Sequence, residues 1–211
     1  MKIINLYQFE TANVGDLSCS PIQYFDYCPV EFFDIKRTMV EAPPPADVYI
    51  VGGGGSPRTM RYPLPGVQIA WGLGMTHRRE QLKDFALIGT RDREVPGTDW
   101  VPCVSCMSPL FDEEYPITGA AVPYYCGIHN IGTLDEALRQ IGSGETVVTD
   151  SYHGAYWAML LGRKIILRPG KRTDHAKFYQ IEDATLDECR EANVRFDAKV
   201  RTTLEHVNHT A

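Results

Sequence analysis

The residues best placed to do chemistry centre on His153. It lies in "ETVVTDSYHGAYWAMLLGRKII", Glu145 to Ile166, between an apolar run that ends in Thr149-Asp150-Ser151 and a helix-like apolar face. An imidazole there can give or take a proton near neutral pH. At a helix start it would also meet free backbone N–H groups and the positive end of the dipole, which together favour a bound anion. Asp150 could orient the ring or accept a proton, Ser151 could touch the same ligand, and Gly154 would leave room for it. The plainer alternative is a core histidine bonded to a carbonyl, and local sequence alone does not decide between the two.

Three further groups could join it. Arg91, in Thr90-Arg91-Asp92-Arg93, follows the apolar run "ALIG". A guanidinium at a strand end can grip a carboxylate or phosphate through a bidentate fork, or belong to a surface ion-pair cluster. Gly52 to Gly55 close the run "DVYIVGGGG" without the spacing of a dinucleotide fingerprint and without the Lys-Ser/Thr of a phosphate loop. Gly53 and Gly54 therefore read either as a tight turn or as backbone that lets a ligand approach. Asn13-Val14-Gly15-Asp16 follows the first apolar run. Asn13 and Gly15 suit a turn and Asp16 a helix cap, and all three would lie on the ligand side of a sheet.

Six cysteines occur, at 19, 28, 103, 106, 126 and 189. Cys103-Val-Ser-Cys106 has the spacing of a zinc knuckle or a redox pair, but no second close pair and no neighbouring histidine completes a four-ligand set. The expectation is two thiols on a strand and its turn, with no metal and no cofactor.

These residues need elements to position them. Strands are expected at 2–7, 30–35, 47–55, 66–74, 86–94, 99–105, 146–150 and 164–169. Helices are expected after Ser20-Pro21, at 77–85, 133–141, 153–162, 173–181, 185–193 and 197–209, with capping boxes from Thr133 to Glu136 and from Thr185 to Glu188. "APPPAD" is a stiff connector, and a soft division falls near 115, giving units 1–115 and 116–211. The alternation predicts an α/β fold with parallel sheets and flanking helices, whose ligands bind beyond the carboxyl ends of the strands. A basic stretch "RPGKRTDHAK", with Lys171, Arg172 and His175, could line the same cleft.

At 211 residues and 44% hydrophobic the chain can bury a full core. A net charge of −6 argues against non-specific nucleic-acid binding. The longest apolar stretch, 155–167, is broken by Arg163 and Lys164 and is too short to span a bilayer, and "MKIINLYQFE" lacks the apolar core of a signal peptide. A cytoplasmic protein with reduced thiols is expected.

Taken together, "NVGD", "DVYIVGGGG", the strand ending in "TRD" and above all "VVTDSYHGAYWAMLLGRKII" resemble the polysaccharide pyruvyl transferase family. The resemblance implies Rossmann-like sheets in a compact two-lobed arrangement similar to glycosyltransferase-B. It implies transfer of a pyruvyl group from phosphoenolpyruvate to a saccharide as a ketal, without a metal. The acceptor would be a free or lipid-linked glycan, which is compatible with peripheral association with a membrane. His153 would be the acid that activates the donor, and Arg91 would hold its anionic groups. The chain departs from the pattern in two respects. Ser151 stands where many members carry an arginine, and the chain is short for the family. A nucleotide-sugar glycosyltransferase, or an inactive saccharide-binding module, are the alternatives.

Overall fold

A computed structural model describes residues 1–54, 62–74, 83–93, 95–168 and 183–210. Two parallel sheets carry the fold. The larger is built from β1 (Ile3–Tyr7), β2 (Val30–Asp34), β3 (Val48–Gly54), β4 (Val67–Leu73), β5 (Phe85–Thr90) and β6 (Asp99–Trp100), in the order β2-β1-β3-β4-β5-β6. The smaller pairs β7 (Gly119–Tyr124), β8 (Gly144–Thr149) and β9 (Lys164–Leu167) in that order. Helices α1 (Val14–Leu17), α2 (Leu134–Gly142), α3 (Tyr152–Leu160) and α4 (Leu186–Thr210) connect and cover them.

The central strands read as continuous apolar runs because both of their faces are covered. In β3, Val48 and Ile50 join one core with Ile3, Ile69 and Trp71, while Tyr49 and Val51 join another with Ile4, Leu6 and Ala70. The sidedness follows from the two-residue period of a strand. A third core lies under the smaller sheet, where Leu138 and Ile141 of α2 meet Val147 of β8 and Trp157 of α3.

The division near 115 separates the strands of the two sheets, but α4 does not stay with the second. Phe196 and Val200 pack with Ile3, Val48 and Trp71 of the first sheet. Trp71 Nε1 donates to Asn193 Oδ1 at 2.8 Å, and Lys199 pairs with Asp99 at 2.6 Å. Two separate helices at 185–193 and 197–209 were expected. One unbroken helix forms instead, because Val194-Arg195-Phe196 carries no breaker and Phe196 continues the buried face.

Other differences are local. The helix expected after Ser20-Pro21 is a single 3-10 turn, Pro21–Gln23, and the Ser20 hydroxyl donates to Asn5 Oδ1 rather than capping it. The strand expected at 99–105 stops at Trp100, and Val104–Met107 turns as a 3-10 helix. Strand β7 was not foreseen, since Gly119-Ala-Ala-Val-Pro-Tyr124 has weak strand propensity and one edge face in solvent. The expected helix at 173–181 and the patch at Lys171, Arg172 and His175 lie outside the described residues, as does most of the helix expected at 77–85.

Candidate active site

In an open parallel sheet, ligands collect beyond the strand ends where the order reverses, here between β1 and β3. The chain leaving β1 enters α1, whose cap is Asn13. Its side chain accepts from Gly15 N, so Asp16 sits inside the helix and is not the cap foreseen for it. After α1, Cys19 is pinned from both sides. Its backbone N–H donates to Asp16 O, and the next residue, Ser20, is tied through Asn5 to Ile50 O of β3.

His153 arrives from the other sheet. Ser151 caps α3 through a bond from Gly154 N, which explains a serine there without any ligand. The His153 ring lies 5.2 Å from the rings of both Tyr152 and Trp157. Its other face is set by Gly15, where a Cβ would stand 2.1 Å from Nδ1. Gly15 is therefore needed for clearance, and α1 and α3 can meet only because it lacks a side chain.

The ring's Nε2 lies 3.3 Å from Cys19 Sγ and 3.5 Å from Cys103 Sγ, and the two sulfurs are 3.6 Å apart. Arg91 comes from the end of β5. Its guanidinium lies 4.3 Å from the centroid of the Tyr152 ring and donates to Cys19 Sγ at 3.4 Å. All four side chains are buried: Arg91 is 4% exposed and His153 7%. Arg91 and His153, chosen from separate stretches of sequence, thus converge on one sulfur. Gly53, with φ +42°, lets the turn after β3 pass beside them, since a Cβ there would lie 2.7 Å from Cys19 Sγ and 3.4 Å from the Arg91 guanidinium. Gly54 pairs with Leu73 at the end of β3, one residue beyond that approach.

Two of the expected roles are not met. Asp150 Oδ1 accepts from Cys126 N at 2.7 Å and so braces the turn after β7 rather than the imidazole. Gly154 does not open space for a ligand, because a Cβ there would fall 2.5 Å from Thr149 Oγ1 and 2.6 Å from Tyr124. Its role is close packing of α3 on β7 and β8. The carboxylate that feels both His153 and Arg91 is Asp16. Burial pushes its pKa up, while the charges of His153 and Arg91 act against that rise.

The thiols are where sequence reasoning fell short. Cys103 and Cys106 are not partners in chemistry. Cys103 faces Cys19, which lies 84 residues away in the chain, while Cys106 accepts from Asn193. No local spacing could show that pairing. The environment also makes the two thiols of the site unequal. Burial pushes Cys103 up, but its hydrogen bond with Cys19 and the positive charges of Arg91 and His153 outweigh this and hold it well below the ordinary thiol range. The same bond, with burial, holds Cys19 well above it. The geometry agrees with that order, since the Cys19 sulfur donates to Gly15 O at 2.8 Å.

Cys19, Cys103 and His153 are also the one trio, among the described residues, whose donor atoms lie close enough to hold a metal ion. Their separations approach the edges of a tetrahedral thiolate–imidazole zinc site, about 3.5–3.8 Å. The contact of Cys19 Sγ with Gly15 O suits a thiol and repels a thiolate, and so favours a proton over a metal on that sulfur.

No helix among the described residues is long and apolar enough to cross a membrane. No family model matches the chain, and comparison with curated proteins returns no match.

Proposed function

We propose that this chain transfers the pyruvyl group of phosphoenolpyruvate to a saccharide hydroxyl pair as a ketal, with the two sheets acting as the lobes of a glycosyltransferase-B-like cleft. The observation that carries the reading is the meeting of Arg91 and His153 at Cys19 from the carboxyl ends of strands in different sheets. Ketal formation needs two things from the protein. The donor's carboxylate and phosphate need a cation freed from water, and its enol carbon needs a proton. Arg91 is such a cation. It makes no salt bridge among the described residues, and its buried Nε has no hydrogen-bond partner there. An anionic donor would supply one. His153 delivers the proton to the donor's methylene carbon. The adjacent carbon then becomes electrophilic, a sugar hydroxyl attacks it, and Asp16 is the nearby carboxylate that can take up the hydroxyl proton. The bond from that carbon to the phosphate oxygen then breaks, inorganic phosphate leaves, and the second sugar hydroxyl adds to the same carbon and gives up its proton to close the ketal. Asp150, first assigned that task, is occupied by Cys126.

Titration calorimetry with phosphoenolpyruvate on wild type, Arg91→Ala and Arg91→Lys tests the reading. Arg91→Ala should weaken donor binding about 10- to 100-fold, the range for loss of a charge-assisted, partly desolvated contact. Arg91→Lys should recover part of it, since the ammonium keeps the charge and loses the fork. Arg93 serves as the control, because its guanidinium lies over the Trp100 ring, 3.9 Å from the centroid. Equal affinity in wild type and Arg91→Ala would remove the donor assignment. Thermal stabilisation by nucleotide sugars and not by phosphoenolpyruvate would replace it with glycosyl transfer.

A further inference from the structure

We infer that Cys19 and Cys103 form an oxidisable dithiol that hydroperoxides close to a disulfide, a modification site in the same cluster that pyruvyl transfer does not require. Their sulfurs are in van der Waals contact at 3.6 Å, although they come from segments on opposite sides of β2 to β6 in the chain. A chance pair of buried cysteines would meet apolar neighbours. These two meet an imidazole nitrogen, a guanidinium and the Ser105 hydroxyl, which donates to Cys103 Sγ at 3.3 Å. That is the surrounding a thiolate needs in order to react. Cys103 is 1% exposed and Cys19 3%, and hydrogen peroxide is the oxidant class that demands the least opening of the site.

The chemistry balances with two thiols and one peroxide. The Cys103 thiolate attacks one peroxide oxygen and the O–O bond breaks. The expelled hydroxide takes a proton from solvent and leaves as water, and Cys103 becomes a sulfenic acid. The Cys19 sulfur then attacks Cys103 Sγ, its proton joins the departing hydroxyl, and a second water leaves as the S–S bond forms. The two sulfurs lose two electrons in total and the peroxide gains them. Cys103 is the attacking sulfur because the Ser105 hydroxyl donates to it, and Cys19 resolves because its own sulfur donates to Gly15 O.

The test treats the full chain with hydrogen peroxide in slight excess and reads intact mass and non-reducing peptide maps, so it needs no donor and no turnover. A Cys19–Cys103 cross-linked peptide that a reductant opens is the expected product, with the mass falling by two hydrogens. Cys19→Ala should stop at a sulfenic acid on Cys103 that a cyclic diketone traps, and Cys106→Ala should cross-link as wild type does. A Cys103–Cys106 linkage would overturn the inference. So would oxidation confined to the exposed Cys28 and Cys126, or stoichiometric zinc on Cys19 and Cys103 that blocks oxidation until it is chelated. If the cross-link forms while phosphoenolpyruvate fails to bind, the dithiol stands and the proposed reaction falls. If the donor binds and no cross-link forms, the reverse holds.

Discussion

Two clusters of buried sulfur lie a few residues apart, and they are built from the same kinds of side chain. One holds Cys19, Cys103, His153 and Arg91. The other holds Cys106, Cys189, Asn193 and Arg190, with both thiols and the amide fully buried. In the second, every polar group has a neutral or acidic partner. Asn193 accepts from Trp71 Nε1 and donates to Cys189 O and Cys106 Sγ. Arg190 donates to Cys106 O at 3.0 Å and pairs with Asp112 at 2.6 Å, so its charge is spent on a carboxylate. Burial pushes the Cys106 thiol up, and it pushes Cys189 up to about 11. In the first cluster no carboxylate among the described residues pairs with the guanidinium, and its hydrogen bond goes to the Cys19 sulfur instead. Whether a cysteine is inert or reactive is thus decided by where the neighbouring arginine finds its anion. Position in a C-x-x-C motif decides nothing here.

If the first cluster is the machinery and the second is scaffold, activity and stability should separate. The largest effect belongs to His153→Ala. Turnover per folded molecule should fall about 10²- to 10⁴-fold, the usual contribution of a positioned acid, while circular dichroism and thermal melting change little. Loss of several kcal/mol of stability with normal turnover would instead make His153 a core residue and erase the contrast.

The mirror experiment is Asn193→Ala. It strips the acceptor from Trp71 Nε1 and a donor from two carbonyls, all buried, and should cost about 3–5 kcal/mol in denaturant unfolding. Donor affinity of the folded fraction should stay at wild-type level. A parallel loss of affinity would mean that α4 positions the site as well as the first sheet.

Gly15→Ala examines the boundary between the two behaviours. The added methyl meets the His153 ring with no room to spare, so the ring must move. A displacement on the order of 1 Å at a reacting group can cost about 10²-fold in rate. Turnover should fall by about that factor in steady-state kinetics, and the overpacking should also cost about 1–3 kcal/mol of stability, so rates are compared per folded molecule. Wild-type turnover would show that the imidazole works from more than one position.

These expectations also mark what sequence could disclose. The parallel strands were legible because Val48-Tyr49-Ile50-Val51 and its counterparts are apolar at every position, as strands covered on both faces must be. Arg91 and His153 were legible because each closes a strand or opens a helix on the ligand side. The rest depended on long-range closure. Cys19 meets Cys103 only after β3, β4 and β5 have stacked between them, and Asp16 rather than Asp150 faces His153 because of how α1 lies against α3. The single helix α4 was misread for a different reason. Its buried face passes from one core, at Cys189, to another, at Phe196, Val200 and Leu204, so no single core accounts for the whole face.

The smallest expected effect concerns Ser105, which joins the two regions. Its hydroxyl donates to Cys103 Sγ and accepts from Trp157 Nε1 at 3.0 Å. Donation to sulfur favours the thiolate, so Ser105→Ala should raise the Cys103 thiol pKa. One hydrogen bond of about 1 kcal/mol corresponds to a shift of somewhat under one pH unit. Since alkylation follows the thiolate, the iodoacetamide rate at Cys103 in mildly acidic solution should drop about fivefold. The difference should close as pH rises and both proteins become fully ionised at that sulfur. Cys106 and Cys189, whose thiols are pushed up, should alkylate slowly at the same pH in wild type and variant alike. The variant also leaves Trp157 Nε1 without its acceptor and should lose about 1–3 kcal/mol of stability. Rates are therefore compared well below the melting transition, by mass-resolved labelling of each cysteine. If Cys103 and Cys106 label at one rate with one pH dependence, the two sulfur clusters are chemically alike, and the division into machinery and scaffold is lost.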